Sequence, residues 1–289
     1  MYPRPTSHST ALGPGCAGPQ FMLPPGAAEH HASLQRPVDH KPTSGAPACA
    51  VDPAILKEAD DPIKHTLSPY VTGTSILAVR YKDGVAMAAD MLGSYGSTKR
   101  YKGLQRMIEV NPNCVVGASG EVSDFQQIQR YLDELSTADF CQDDGITLQP
   151  SEVFSYLTRV MYNRRSKMNP LWNSLVVAGV SKQGEPFLGC VAMNGTHYQS
   201  PHVATGFGGH LAVPLFREAH RPDMSEEEAV ALLKSALRVC YYRDKQSINK
   251  FQVATATAAG VKISEPFALD VKWDYQAYHN PTAMAPGTW

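Results

Sequence analysis

A chain of 289 residues, 43% hydrophobic and 18% charged, has the makeup of a folded globular protein with ample length for a buried core. A formal net charge of -1 advertises no basic surface and argues against nucleic acid as a main partner. No run approaches the roughly 18 apolar residues of a membrane span, and no signal peptide is expected, because the N-terminus lacks an apolar core of that length.

Residues 1–65 form a composition class of their own, with 11 of the 22 prolines and five of the ten histidines. Such a segment buries too little apolar surface to offset chain entropy, and a disordered or extended course is expected. Its histidines (His8, His30, His31, His40, His65) lack regular metal-site spacing, so they read as a solvated tail. The six cysteines (Cys16, Cys49, Cys114, Cys141, Cys190, Cys240) contain no CxxC pair. Reduced thiols in a cytosolic or nuclear protein are therefore expected.

The ordered part opens with strands predicted over 74–81, 84–90, 106–111 and 113–118. Lys82-Asp83-Gly84 between apolar runs is a strong hairpin signal. It places Thr74 and Asp90 at the same end of the hairpin, with Arg106 one strand further on. A hydroxyl preceded by Gly73, with a carboxylate and a cation beside it, is a candidate nucleophilic site. Taken singly, threonine also suits strands, glycine a bend and aspartate a strand end. Residues 91–102 read as a Gly/Ser/Tyr loop.

A helix is expected from Ser123 or Asp124, as N-cap, to about Leu135, with Phe125, Ile128, Leu132 and Leu135 on one face. A second opens at Pro150-Ser151-Glu152 and runs out in Arg164-Arg165-Ser166-Lys167, cations that suit a helix C-terminus. Strands are predicted over 174–180, 186–192 and 197–204, then a short Pro-broken helix to about His220. Ser225 and Glu228 form a capping box for the last long helix. Strands over 252–258 and 260–264 close the domain. Beyond 264 lies an extension (265–289) with Trp273 and Trp289 and no clear period. Strands, two helices, strands, two helices, strands is an α+β order. Its physical solution is two antiparallel sheets face to face with helices on both outer faces.

The spacing Gly73-Thr74, turn, Gly84-Val85, Ala88-Ala89-Asp90 resembles that of the proteasome beta subunits. The resemblance covers about 66–274 and implies a four-layer αββα sandwich, the N-terminal-nucleophile hydrolase fold. It also implies that 1–65 is a propeptide-like segment. In active members of that family a lysine stands where this chain has Arg106, and the threonine becomes the chain's N-terminus and attacks the peptide carbonyl. The glycine at the Gly120 position gives its N–H to the oxyanion hole, and an aspartate and two serines surround the threonine. Asp244 and Ser247 match the aspartate and one serine; Gly209 stands where the other serine would be.

Arginine stays protonated in proteins and cannot take the threonine proton. It is expected to pair with Asp90 and to donate to the Thr74 hydroxyl. Thr74, Asp90, Arg106, Gly120, Asp244 and Ser247 then form a relic site. Stretches such as Arg164-Arg165-Ser166-Lys167-Met168-Asn169-Pro170-Leu171-Trp172-Asn173 look like those of a non-peptidase beta member. The resemblance implies a structural subunit of the 20S core, in cytoplasm and nucleus, without a cofactor. Its partners would be other alpha and beta subunits, including those of the opposite beta ring. Arg164, Arg165, Lys167, Met168, Trp172, Trp273 and Trp289 are the expected interface residues. Two other readings compete: an active threonine peptidase with Thr74 as nucleophile, and a free-standing amidohydrolase.

Overall fold

A computed structural model describes residues 68–274 and His279. Thirteen strands and five helices follow one another among these residues. β1 (Val71–Gly73), β2 (Ile76–Tyr81), β3 (Gly84–Asp90), β4 (Gly93–Tyr95), β5 (Thr98–Tyr101), β6 (Met107–Asn111) and β7 (Cys114–Glu121) come first. Then come α1 (Val122–Gln142) and α2 (Pro150–Ser166), followed by β8 (Asn173–Val180), β9 (Pro186–Val191), β10 (His197–Gln199) and β11 (His202–Ala204). α3 (Gly208–Leu211), α4 (Val213–Ala219), α5 (Glu226–Arg243), β12 (Phe251–Thr257) and β13 (Gly260–Ile263) complete the order.

Two antiparallel sheets result. One runs β10-β9-β8-β7-β1-β4-β5, with β6 also on β7; the other runs β11-β2-β3-β12-β13. Period-2 alternation assigns each strand's side chains to a layer. Ile76, Ala78, Val85, Met87, Val115, Val176 and Ala178 meet between the sheets. Leu77, Val79, Ala86 and Ala88 point the other way, onto Phe216, Leu233 and Leu237 of α4 and α5. Cys114, Val116, Leu175 and Val177 pack on Phe125, Ile128, Leu157 and Met161 of α1 and α2. Three apolar layers separate four structural ones, the αββα sandwich expected. Each fully buried Leu, Ile, Val or Met contributes about 1.5–3 kcal/mol.

Several boundaries differ from expectation, for local reasons. The strand expected from Thr74 starts at Ile76, because the Thr74 and Ser75 carbonyls bond Arg106. The loop expected at 91–102 holds β4 and β5, and the residues just before Thr74 form β1. α1 is capped by the Glu121 carboxylate, not by Ser123 or Asp124, and continues to a left-handed Asp143. The strand expected over 197–204 breaks at Ser200-Pro201 into β10 and β11, which belong to different sheets. Residues 265–273 are not a loose extension: Phe267 bridges Phe251, and Leu269 is buried in the α5 layer. The segment 1–65 and the remainder of the tail, with Trp289, lie outside the described residues.

The thiols of Cys114, Cys190 and Cys240 are buried, and burial pushes those of Cys114 and Cys240 up to about 12. No helix among the described residues is long and apolar enough to cross a membrane, and none of their His, Cys, Asp and Glu side chains form a group of three that could hold a metal.

Candidate active site

Thr74 sits in the bend between β1 and β2, where the chain passes from one sheet to the other. Arg106, 3% exposed, fills the space beneath that bend. Its Nη1 donates to the Thr74 carbonyl at 2.7 Å, its Nη2 to the Ser75 carbonyl at 2.5 Å, and its Nε to the Asp90 carbonyl at 3.2 Å. The Asp90 carboxylate lies 3.5 Å from Nη1. The expected buried ion pair is present. Asp90 Oδ2 accepts from the Ile248 N–H at 3.3 Å, while Oδ1 faces the guanidinium without a hydrogen bond.

Burial pushes the Asp90 carboxyl up to about 6, against the opposing pull of Arg106. The same burial lowers Arg106, while Asp90 and Asp244 hold its proton on. Desolvation of both charges is the larger effect in this pair.

The expected donation from Arg106 to the Thr74 hydroxyl is not made. The hydroxyl donates instead to Asp244 Oδ2. The guanidinium directs three of its five N–H groups at backbone carbonyls rather than at the threonine side chain, which is bonded to the Asp244 carboxylate. Asp244 is held at the C-terminus of α5, and its other oxygen accepts from the Gln246 N–H at 2.8 Å. Ser247 is close in sequence but spends its hydroxyl on the Asp244 carbonyl at 2.9 Å. Gly209 is not required by packing: a Cβ there would meet only the Ala204 carbonyl, at 3.6 Å. A serine would fit, and its absence removes a hydrogen-bonding group without a steric cause.

Gly120 has φ +92°, and a Cβ there would lie 2.1 Å from the Trp172 carbonyl. Only glycine meets both conditions. Gly73 is likewise fixed by contact, since its Cβ would come within 2.6 Å of the Arg106 stem.

The residues just before Thr74 are part of the sheet. β1 lies between β7 (Thr72↔Glu121, Gly73↔Gly120) and β4 (Val71↔Tyr95, Thr72↔Ser94). Glu121, 2% exposed, collects the Tyr70 and Val71 N–H groups, and the Ser123 hydroxyl at 3.0 Å. Tyr70 and Tyr95 stack edge to face at 4.7 Å with their hydroxyls 3.0 Å apart. A cleft of about 430 Å³ remains beside Thr74, walled by Gly120, Trp172, Met193, Phe207 and Asp244.

A family model described as proteasome subunit matches residues 70–256. The proteasome subunit beta type-4 of Arabidopsis thaliana is 53% identical over 234 residues, which cover 81% of this chain and 95% of the relative. That of Xenopus laevis is 46% identical, covering 74% of this chain and 88% of the relative. The proteasome subunit beta type-7 of Saccharomyces cerevisiae is 42% identical, covering 82% and 96%.

The chain belongs to the proteasome subunit family.

As a beta subunit of the proteasome core, the chain brings Thr74, Asp90, Arg106 and Asp244 into one cluster, with Gly120 at its rim. Ser247 is adjacent but turned to its own backbone. Glu121 was missed by sequence reasoning and Asp124 was read only as a helix cap; Asp124 accepts the Trp172 N–H at 2.8 Å and holds the α2–β8 connection against Gly120. The available signal was an acidic pair at a strand-to-helix junction, which also reads as ordinary helix capping. Of the expected interface residues, Arg165, Lys167 and Met168 are exposed, whereas Arg164 and Trp172 are half-buried. Trp273 packs on its own domain, edge-on to Tyr241 at 5.7 Å and Tyr242 at 5.0 Å, leaving half its surface open. Trp289 lies outside the described residues.

Proposed function

We propose that this proteasome beta subunit is a non-catalytic, structural member of the 20S beta ring, serving ubiquitin- and ATP-dependent degradation through assembly. Arg106 is the observation that carries the reading. A group that takes the threonine proton must titrate near the working pH, and a guanidinium tied to three carbonyls and a carboxylate does not. The other possible base is a free amine on Thr74, which requires cleavage after Gly73. In the resembling family that cleavage draws on the threonine and the lysine, and the lysine is replaced here.

Two features support an uncut Gly73–Thr74 bond. β1 is the strand that joins β4 and β5 to β7, so its loss would open the sheet beside the site. Glu121 and the Tyr70–Tyr95 contact hold the segment before it. A cut made by a neighbouring active subunit should fall near His65-Thr66, upstream of β1. The segments 1–65, 66–264 and 265–289 are proposed as propeptide-like segment, beta-type domain and C-terminal extension, with Phe267, Leu269 and Val271 of the last packed on the domain. Partners are the neighbouring alpha and beta subunits and the opposite beta ring, in cytoplasm and nucleus.

Mass spectrometry of the chain recovered from purified 20S particles tests this. The expected mature N-terminus lies upstream of Gly73. A chain beginning at Thr74 would overturn the reading in favour of an active threonine peptidase.

A further inference from the structure

α2 ends in a Schellman motif: the Met168 N–H donates to the Arg165 carbonyl at 3.1 Å and the Asn169 N–H to the Arg164 carbonyl at 3.0 Å. The motif puts residue 168 in the left-handed region, with φ +56°. Glycine is the residue that suits this position, since a Cβ is disfavoured there. The chain has a methionine instead, 79% exposed. At that exposure the side chain has little packing within its own domain, so neither backbone conformation nor core packing accounts for it. What methionine supplies over glycine is a long, adaptable apolar side chain held out from the surface.

The mount is rigid. Leu171 is buried, the Trp172 N–H is fixed by Asp124, and the Trp172 carbonyl accepts the Glu121 N–H at 2.8 Å. Arg165 and Lys167, both exposed, flank the tip, and Tyr162 is 55% exposed on the last turns of the same helix. An apolar point beside exposed cations is complementary to an apolar recess edged with carboxylates.

We propose that Met168 is an assembly anchor that inserts into an acidic-rimmed apolar recess of a neighbouring proteasome subunit. The inference rests on the proposed structural role and names the contact through which part of it is exerted.

Hydrogen peroxide footprinting with mass spectrometry reads it directly, because oxidation to the sulfoxide follows exposure. Met168 should oxidise readily in the free full-length chain and about tenfold more slowly in the assembled particle. Met87 and Met161, buried in the domain, should be slow in both. Competition between tagged chains in cells supplies a second readout. Met168→Gly should enter particles several-fold less than wild type although its thermal midpoint is unchanged or higher, because glycine relieves the left-handed backbone. Met168→Leu should incorporate nearly normally, and Arg165→Glu with Lys167→Glu should be poorer than the two alanines. Equal Met168 oxidation in free chain and particle, or equal incorporation of Met168→Gly, overturns the anchor alone. A chain that enters no particle overturns the structural role as well.

Discussion

Replacing Arg106 by methionine keeps the apolar stem and removes the guanidinium. Three carbonyls, of Thr74, Ser75 and Asp90, lose their donor, and a 3% exposed carboxylate loses its cation. Breaking a buried ion pair from one side costs about 3–5 kcal/mol, and the orphaned carbonyls put this case near the top of that range. The loss should depend on pH, with a sign fixed by Asp90. Its folded-state pKa, about 6, lies above the ordinary value of 3.8. In the native chain its burial penalty is therefore fully present above pH 6 and is released as pH falls towards 4, by up to about 3 kcal/mol. Without Arg106 the opposing pull disappears and the folded-state pKa moves higher still. The variant should then regain about 1.4 kcal/mol per pH unit over wild type between its own pKa and that of the native site. Urea unfolding of the full-length chain, followed by tryptophan fluorescence at about pH 8 and about pH 6, measures both numbers. Adding Asp90→Asn should return part of the loss. A destabilisation below about 1 kcal/mol, or one equal at the two pH values, would refute the pairing argument.

Gly120→Ala meets a carbonyl at 2.1 Å from a φ of +92°, and should cost more than about 3 kcal/mol or block folding, as read by soluble yield and urea midpoint. Thr74→Ala should leave the peptidase rates of the assembled particle and the mature N-terminus of this chain unchanged. It should lower stability by about 1–2 kcal/mol, because an Asp244 oxygen loses its donor. Trp273→Ala removes two edge-on tyrosine contacts from a half-exposed ring; a loss of about 1 kcal/mol and a weaker near-UV circular dichroism signal are expected.

Much of this fold is written in periodicities that need no tertiary information. β2, β3, β7 and β8 are short, nearly continuous apolar runs, the signal of strands covered on both faces, and the stripes of α1, α2 and α5 are a 3.6-residue signal; together they point to two sheets with helices outside. The Ser225–Glu228 capping box, the Asp-Gly hairpin turn and the proline-opened α2 are local chemistry within four residues. The hairpin spacing placed Thr74 and Asp90 at one end, but Arg106 is not on the next strand of that sheet: it precedes β6, which pairs β7 in the facing sheet, and it reaches the pair because the two sheets are stacked.

What the tertiary structure alone decided are the partners. Hydrogen bonds between residues far apart in the chain depend on which sheet each strand joins, and short strands carry almost no signal of that choice. Val71–Gly73 is three residues long and became a strand only because β7 and β4 flank it and Glu121 holds its entrance. The Thr74 hydroxyl turned to Asp244, 170 positions away, once Arg106 had been taken by carbonyls that any sequence possesses. Gly73 reads as a bend in the chain, yet it and Gly120 proved to be contact points, against an arginine stem and a carbonyl brought up by the α2–β8 connection. Side-chain identity can be read residue by residue, but backbone donors and acceptors look alike in every sequence, and only their positions in space determine which side chain they claim.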